Sequence, residues 1–451
     1  MNKEVKISDF IDTEYKDFAY YVINNRAIPS IKDGLKPVQR RILYIGEKEA
    51  TTFTKVSTFA GSVMKIHPHG NSAIEGAIGT MVQDFCGANN LPFLDGSGAF
   101  GCKIIGSGNG IGAARYVSAK LNKFTKDVIF SDREIVEEID SYDGEFKEVK
   151  NYLPYIPIVL LNGVSGIAVG FATEIRPYKL TDILKIQKDI IFGKKITKKS
   201  LKPYYKGFKG KVLRNDSGGW KSRGVFEVNK DLLTITELPI GLNREKFISH
   251  LNNLIDKEII RDYSDFSKDE YDIRIKFKKK RAKYSDDQII NIFKLERNLT
   301  ENLVLIDTNN KLREYNNVIE IIEEFTKWRF PFVKKKYEYL RDKISLEIED
   351  KEELLRFIKF VIKNDYLKKM TRLDRSQIIE DLIDDFPSIS KLINISISNF
   401  TEDSIEKLEE ALLIDKNLLR GYKSTISTSV TQKNKYINEL DNIEKSFKRN
   451  S

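Results

Sequence analysis

The chain has 451 residues, 41% of them hydrophobic, and 76 Lys and Arg against 66 Asp and Glu give a formal net charge of +10. No stretch of about 18 consecutive apolar residues occurs and no basic-then-apolar leader opens the chain, which argues against a membrane protein and predicts a cytoplasmic one. Two cysteines, Cys86 and Cys102, form no CxxC pair, which excludes a zinc ribbon or a disulfide scaffold, and the positive surplus favours a polyanionic partner.

Residues 1 to about 30 read as a lead-in helix in which Phe10, Ile11, Phe18, Tyr21 and Val22 interleave with charges up to Pro29. In "IKDGLKPVQRRILY", Gly34 and Pro37 predict a turn and a new helix that gather Lys32, Lys36, Arg40 and Arg41. A solvated basic face and a phosphate contact fit that cluster equally. Val56, Phe59, Ala60, Val63 and Met64 then fall on one side of a short helix, and from Ser72 the residues Ile74, Ala77, Ile78, Met81, Val82 and Phe85 follow a second helical rhythm. The tetrapeptide "HPHG" joins them, with Asn71 or Ser72 as the expected cap. This is a helix-turn-helix pattern, whose second helix enters the major groove in DNA-binding proteins, although many helix pairs bind nothing.

Residues 86 to 114 form a glycine-rich loop with short strand. Within it "GSGAFG", 96 to 101, fits GxGxxG, but "CKIIGSGNGIG" follows and no helix tolerates it, so the dinucleotide fingerprint is rejected. The loop ends at "ARYVSAKL", which sets Tyr116 directly after Arg115. As one of 20 tyrosines, Tyr116 reads first as a packing or surface residue and only second as a nucleophile.

From Pro154 the character turns to strand. "IPIVLLNGVSGIAVGF" holds two apolar runs on either side of Asn162-Gly163, which predicts a hairpin turn there and makes Ile167 a strand residue packed in a core. "LTITELPIG" and "DIRIKFKKK" are further strands, separated by the helical "REKFISHLNNLIDKEI". The segments 193 to 211 and 274 to 284 are basic with interleaved aromatics, suited to a nucleic-acid backbone or to a lysine-guarded edge strand. After Asn317 the pattern is helical: Val333, Tyr337, Leu340, Ile344 and Ile348 open one arm, and Ile405, Leu408, Leu412, Leu419 and Tyr422, behind a Thr401 cap, open another. An antiparallel coiled coil with a small knob at 365 to 400 is the economical reading, and a plain bundle is the other. The chain has three histidines: His67 and His69 lack a third metal ligand at recognisable spacing, and His250 reads as a surface residue.

The stretches "NNRAIPSIKDGLKPVQRRILY", "KIHPHGNSAIEGAI", "LDGSGAFG", "GAARYVSAKL", "LLNGVSGIAVGFATEI" and "TITELPIG" together resemble the breakage-reunion subunit of type IIA DNA topoisomerases, in that family's order from about residue 20 to 245. The two helical arms extend the likeness almost to the C-terminus. Within the family the chain looks like the medium subunit of tailed-phage enzymes: "PYYKGFKG" is similar to the eukaryotic proteins, and no length remains after the second arm for the DNA-wrapping domain of gyrase A, so negative supercoiling is not implied. A cellular topoisomerase IV or gyrase A protein without its C-terminal domain is the alternative. A non-enzymatic winged-helix architectural protein, with a structural Tyr116, is the alternative from another class.

The resemblance implies an α+β multidomain fold: a winged-helix DNA-gate domain at 1–152, a β-rich tower domain at 153–317, and a long antiparallel coiled coil with a small helical dimerisation knob at 318–451. It implies the DNA-cleaving and resealing subunit of an ATP-dependent type II topoisomerase, an isomerase, with Tyr116 as nucleophile. Arg115 and Arg40 or Arg41 resemble the family's phosphate clamps, and His69 the hydrogen-bonding group near the scissile phosphate. Lys36, Arg41, His67 and Ser72 are expected at the DNA, and Ile167 matches the family's wedge between base pairs. At Ser72, where inhibitors contact bacterial enzymes, the usual downstream acid is replaced by Gly76, with Glu75 one place earlier, so sensitivity does not carry over. The family's Mg2+ needs a glutamate and an Asp-x-Asp pair, and neither Asp-x-Asp nor an ATPase signature occurs here. Mg2+ and ATP are therefore expected on a separate large subunit with ATPase and toprim domains. The other expected partners are double-stranded DNA and a second copy of this chain, in the host cytoplasm if the chain is phage-encoded.

Overall fold

In a computed structural model that describes residues 11–197, 200–278, 284–370 and 372–450, the lead-in segment is helical from Ile11 to Ala27, with Lys16–Val22 (α1) between two π-helical turns. Phe10, residues 198–199 of the first basic segment and 279–283 of the second lie outside the described residues. The chain is α+β and divides into two units: residues up to Arg329 with those from Glu439 on, and Phe330–Asn438.

In the first unit Pro37 opens the helix Pro37–Glu49 (α2), where its missing N–H costs nothing. The preceding turn needs glycine at 34: its φ is +68°, and a Cβ there would stand 2.4 Å from the Val159 nitrogen. Val56–Val63 (α3) and Asn71–Val82 (α4) pack on α2 as their spacing predicts, burying Val56, Phe59, Ile74 and Ile78. Neither Asn71 nor Ser72 caps α4. Gly70 takes the cap position, so Asn71 is already helical and its amide donates to Glu75 Oε1 at 2.6 Å. Thr54–Lys55 (β1), Leu94–Ser97 (β2) and Ser118–Leu121 (β3) form an antiparallel sheet in the order β1–β3–β2. Glu138–Asp140 (β4) and Lys147–Val149 (β5) pair as a hairpin.

The expected hairpin at Asn162-Gly163 is displaced. Ile158–Asn162 is a short helix (α5), and the hairpin follows it as Val164–Ile167 (β6) and Ala172–Ile175 (β7), closed by Ala168 N donating to Phe171 O at 2.8 Å. Ile158, Val159, Leu160 and Leu161 are all buried, and a short run buried on every side carries no period to separate helix from strand. Asn162 makes no turn because its amide pairs with the Leu91 backbone, at 2.8 and 2.7 Å.

Beyond Leu180–Ile191 (α6), Lys211–Arg214 (β8) and Trp220–Arg223 (β9) join Glu296–Leu299 in one sheet. Val225–Asn229 (β10), Leu232–Glu237 (β11), Ile260–Asp265 (β12) and Ile273–Phe277 (β13) make a four-stranded sheet in the order β10–β11–β13–β12. Arg244–Asp256 (α7) and Asp286–Ile292 (α8) contribute Phe247, Leu251 and Ile289 to the core shared with Leu233, Ile235, Ile273 and Ile275 of that sheet. His250 is not a free surface residue: half-buried on α7, its Nε2 meets the Ile292 carbonyl at 2.7 Å. Glu296–Leu299 (β14), Val304–Ile306 (β15) and Leu312–Glu314 (β16) lead to Val318–Arg329 (α9). Its last residue, Arg329, is buried with its guanidinium on Asp132, its Nε on the Leu153 and Pro154 carbonyls and its charge 4.0 Å from the Tyr155 ring.

In the second unit Pro331–Lys363 (α10) and, after Tyr366–Met370 (α11), Arg375–Leu382 (α12) and Ile389–Leu392 (α13), Glu402–Ser427 (α14) dominate. The ion pairs Lys351–Asp415 and Lys359–Glu409, each 2.6 Å, fall in opposing order along α10 and α14, so the two helices run antiparallel. Thr401 caps α14 as expected, accepting from Ser404 N. The second arm is interrupted: Thr428 is extended, and a new helix, Ser429–Asn450 (α15), begins after it, the last residues of which belong to the first unit. In "STISTSV" the serine and threonine hydroxyls compete for backbone groups and weaken helix there. Phe357, Val361, Ile378, Leu382, Phe386 and Ile389 form a compact core at the tip. Among the described residues no helix is long and apolar enough to cross a membrane.

Candidate active site

Tyr116 stands in the turn that feeds β3, where its amide donates to the Ala113 carbonyl at 2.8 Å. Val117 turns inward at 2% exposure while Tyr116 turns outward at 67%. The turn is pinned from behind, since Val56 N and Ser57 N at the start of α3 donate to the Val117 and Ala114 carbonyls at 3.1 and 3.2 Å. Lys55 Nζ holds the Tyr116 carbonyl at 3.0 Å. The exposed Arg115 lays its guanidinium 4.7 Å from the centroid of the Tyr116 ring, so a full positive charge travels with the phenol. An exposed hydroxyl, a fixed backbone and an adjacent cation suit attack on a phosphodiester.

The "HPHG" turn forms a second group. Arg41 grips Glu148 bidentately, Nε to Oε2 at 2.6 Å and NH2 to Oε1 at 2.9 Å, and its NH1 meets His67 Nδ1 at 2.9 Å. An arginine never accepts a hydrogen bond, so His67 must offer a lone pair at Nδ1 and, when neutral, carry its proton on Nε2. Burial, then Arg41, His69 and Arg26, push the His67 pKa from the ordinary 6.5 to about 4. The His67 and His69 rings meet edge to face at 4.7 Å, and His69 Nε2 lies 3.1 Å from the Tyr21 hydroxyl.

The folded chain keeps His67 neutral where an unfolded chain already takes up its proton. Stability from this group is therefore full above about pH 6.5 and is lost as pH falls toward 4. Melting midpoints should decline across that window, and His67→Gln should flatten the decline; identical slopes would contradict the buried neutral imidazole.

Arg40 and Lys36 are tied to the scaffold. Arg40 Nε and NH2 bind Asp33 at 2.7 and 2.9 Å, and Asp33 also accepts from the Leu35 and Tyr152 amides. Desolvation lowers the Lys36 pKa, and its ammonium donates to the Ser165 carbonyl at 2.7 Å, bracing the β6–β7 hairpin. At the end of β6, Ile167 is 85% exposed, so the packed-strand reading does not hold. It shares an open groove with Phe18, Val22, Arg26 and Lys36. Gly166 permits this, because a Cβ there would lie 2.3 Å from the Ala27 carbonyl. Ser72 is exposed in the first turn of α4, beside an open Gly76.

Within one chain the Tyr116–Arg115 group and the histidine turn share no hydrogen bond or ring contact among the described residues. Sequence reasoning passed over Tyr21, counted only as part of an apolar face, and over Arg26 and Lys55, each a lone cation at the edge of a motif. Among the described residues no three His, Cys, Asp or Glu side chains converge as a metal-ligand set. The nearby carboxylates of Asp33 and Glu148 are already engaged by Arg40 and Arg41, so this arrangement does not fit a magnesium site of its own.

The family profile for the DNA gyrase/topoisomerase IV A subunit matches residues 26–441. The chain is 30% identical over 461 residues to the DNA topoisomerase medium subunit of Enterobacteria phage T4, covering 97% of this chain and 99% of that protein. It is 31% identical over 433 residues to the mitochondrial DNA topoisomerase 2 of Dictyostelium discoideum, covering 91% of this chain but only 33% of that protein. The DNA-binding, cleavage and re-ligation domain of Plasmodium falciparum topoisomerase II superposes with a TM-score of 0.87 at 27% identity, over 98% of this chain and 65% of that one.

Proposed function

The chain belongs to the family of DNA gyrase/topoisomerase IV A subunits, and on that premise we propose that it is the DNA-cleaving and resealing subunit of a type II DNA topoisomerase. The observation that carries this reading is Tyr116, 67% exposed on a pinned turn with the Arg115 charge 4.7 Å from its ring. The phenol oxygen attacks phosphorus, its proton passes to an acceptor, the bond to the 3′ oxygen breaks, and that oxygen takes up a proton. The phosphotyrosine ester conserves the bond, so the reverse attack reseals the strand. Arg115 offsets the charge that builds on the phosphorane, and His69, beside Arg26, donates to a phosphate oxygen. Arg40 and Arg41 act at the DNA through what they hold: Arg40 fixes the 33–36 turn and Arg41 fixes the histidine turn.

We divide the chain into a winged-helix domain at 1–152, a tower at 153–317 and a coiled coil with a dimerisation knob at 318–451. Magnesium and ATP arrive on a second chain with toprim and ATPase domains, because this sequence holds neither an Asp-x-Asp pair nor an ATPase signature. A denaturant added to this chain, that partner and duplex DNA should trap DNA attached to this chain, and an adduct confined to the partner would overturn the reading.

Ile167 enters the duplex as a wedge. Insertion between base steps costs a few kcal/mol of unstacking, offset when the bent DNA meets more basic surface. Ile167→Ala should therefore straighten a duplex carrying dyes at its ends and reduce cleavage, while the melting temperature hardly moves, since an exposed isoleucine contributes little to the core. Normal bending in that variant removes the wedge role.

A further inference from the structure

Among the described residues the hydroxyl of Tyr21 hydrogen-bonds His69 alone, while His69 uses one ring nitrogen and leaves the other open. Tyr21 Oη and His69 Nε2 are 3.1 Å apart, the two rings meet edge to face at 6.4 Å, and among the described residues His69 Nδ1 has no hydrogen-bond partner. The other side of the ring packs on His67, itself immobilised by Arg41 and Glu148. A phenol is a stronger acid than a neutral imidazole N–H, and an imidazole nitrogen is the better acceptor, so the bond runs from Tyr21 to Nε2. That direction leaves the imidazole proton on Nδ1, because the partner of one ring nitrogen sets the tautomer at the other.

We propose that Tyr21 is a positioning residue for strand cleavage: by donating to Nε2 it holds His69 as the Nδ1–H tautomer, with that N–H presented to a DNA phosphate oxygen. The proposal rests on the reading that His69 meets the scissile phosphate. Burial and the Arg26 and Arg41 charges lower the His69 pKa, so near neutral pH the ring has a single proton to place, and its location matters. Tyr21 does not touch the reacting atoms. It acts through the ring it holds, from a lead-in helix that carries Arg26 one turn further on.

The chain has only three histidines, so nitrogen-15 labelling of histidine gives a spectrum with three imidazoles. Wild-type His69 should show a protonated Nδ1 and an accepting Nε2. Tyr21→Phe keeps the aromatic ring and removes only the donor. It should shift His69 to the Nε2–H form, leave His67 and His250 unmoved, and slow cleavage by the chain with its metal-bearing partner about five- to tenfold without changing duplex affinity. In a His69→Ala background Tyr21→Phe should have no further effect, whereas a merely structural role would persist there. An unchanged His69 tautomer in Tyr21→Phe, or a changed tautomer with wild-type cleavage, overturns the proposal. If His69→Ala itself cleaves normally, the underlying reading of His69 fails; if His69→Ala is slow and Tyr21→Phe is not, only the positioning role fails.

Discussion

Tyr116→Phe should abolish covalent DNA cleavage, by about 10⁴-fold or more, while leaving the fold and duplex binding intact. The substitution removes one oxygen from a side chain that is 67% exposed and, among the described residues, donates no hydrogen bond, so no packing or pairing is lost. What holds the turn is backbone, through Lys55 to the Tyr116 carbonyl and through the first amides of α3, and that survives. Arg115 also keeps its aromatic neighbour. A variant that still forms an adduct would place the nucleophile elsewhere. A variant that melts early would mean that the hydroxyl belongs to the fold.

Asp132→Ala should cost the first unit about 3–5 kcal/mol. Both side chains of the Asp132–Arg329 pair are fully buried, and removing the carboxylate takes the opposite charge away from a guanidinium held in the interior beside the Leu153 and Pro154 carbonyls and the Tyr155 ring. The double variant Asp132→Ala with Arg329→Met should recover part of the loss, because it removes the buried positive charge along with its partner. Urea midpoints measure both. A single variant within about 0.5 kcal/mol of wild type would show that the pair adds nothing. The position matters for more than stability, since Arg329 fixes the end of α9 to the loop that follows β5.

What the sequence made legible was whatever depends on local rhythm. The faces of α3, α4, α10 and α14 follow apolar spacing, and the Thr401 cap and the strands β11 and β13 stand where their patterns put them. The hairpin was misplaced because Ile158–Leu161 is buried on all sides, and a side chain's periodicity appears only where one face meets water. The outward aim of Tyr116 was not legible, because it sits in a turn, and its fixed backbone depends on contacts with β1 and the start of α3, residues far apart from it in sequence. The cations divide in the same way. "KPVQRR" shows three basic residues with nothing to distinguish them, and only the folded chain shows Arg40 on Asp33, Arg41 on Glu148 and His67, and Lys36 on Ser165, with Arg115 left exposed. Tyr21 was hidden for a related reason, because a tyrosine on an apolar face does not advertise where its hydroxyl points.

Identifying the residue that carries DNA after trapping tests the central claim most directly. Wild-type chain, its metal-bearing partner and a duplex labelled at its 3′ ends would be denatured during cleavage, digested with protease, and the DNA-linked peptide sequenced by mass spectrometry. Exposure alone leaves other tyrosines available, with Tyr20 at 65% and Tyr142 at 62%, so the outcome is not fixed in advance. The nucleotide should be found on Tyr116, in a peptide that also contains Val117. A phosphodiester on Tyr142, on Tyr20 or on any residue of the partner would contradict the assignment of this chain as the one that cuts.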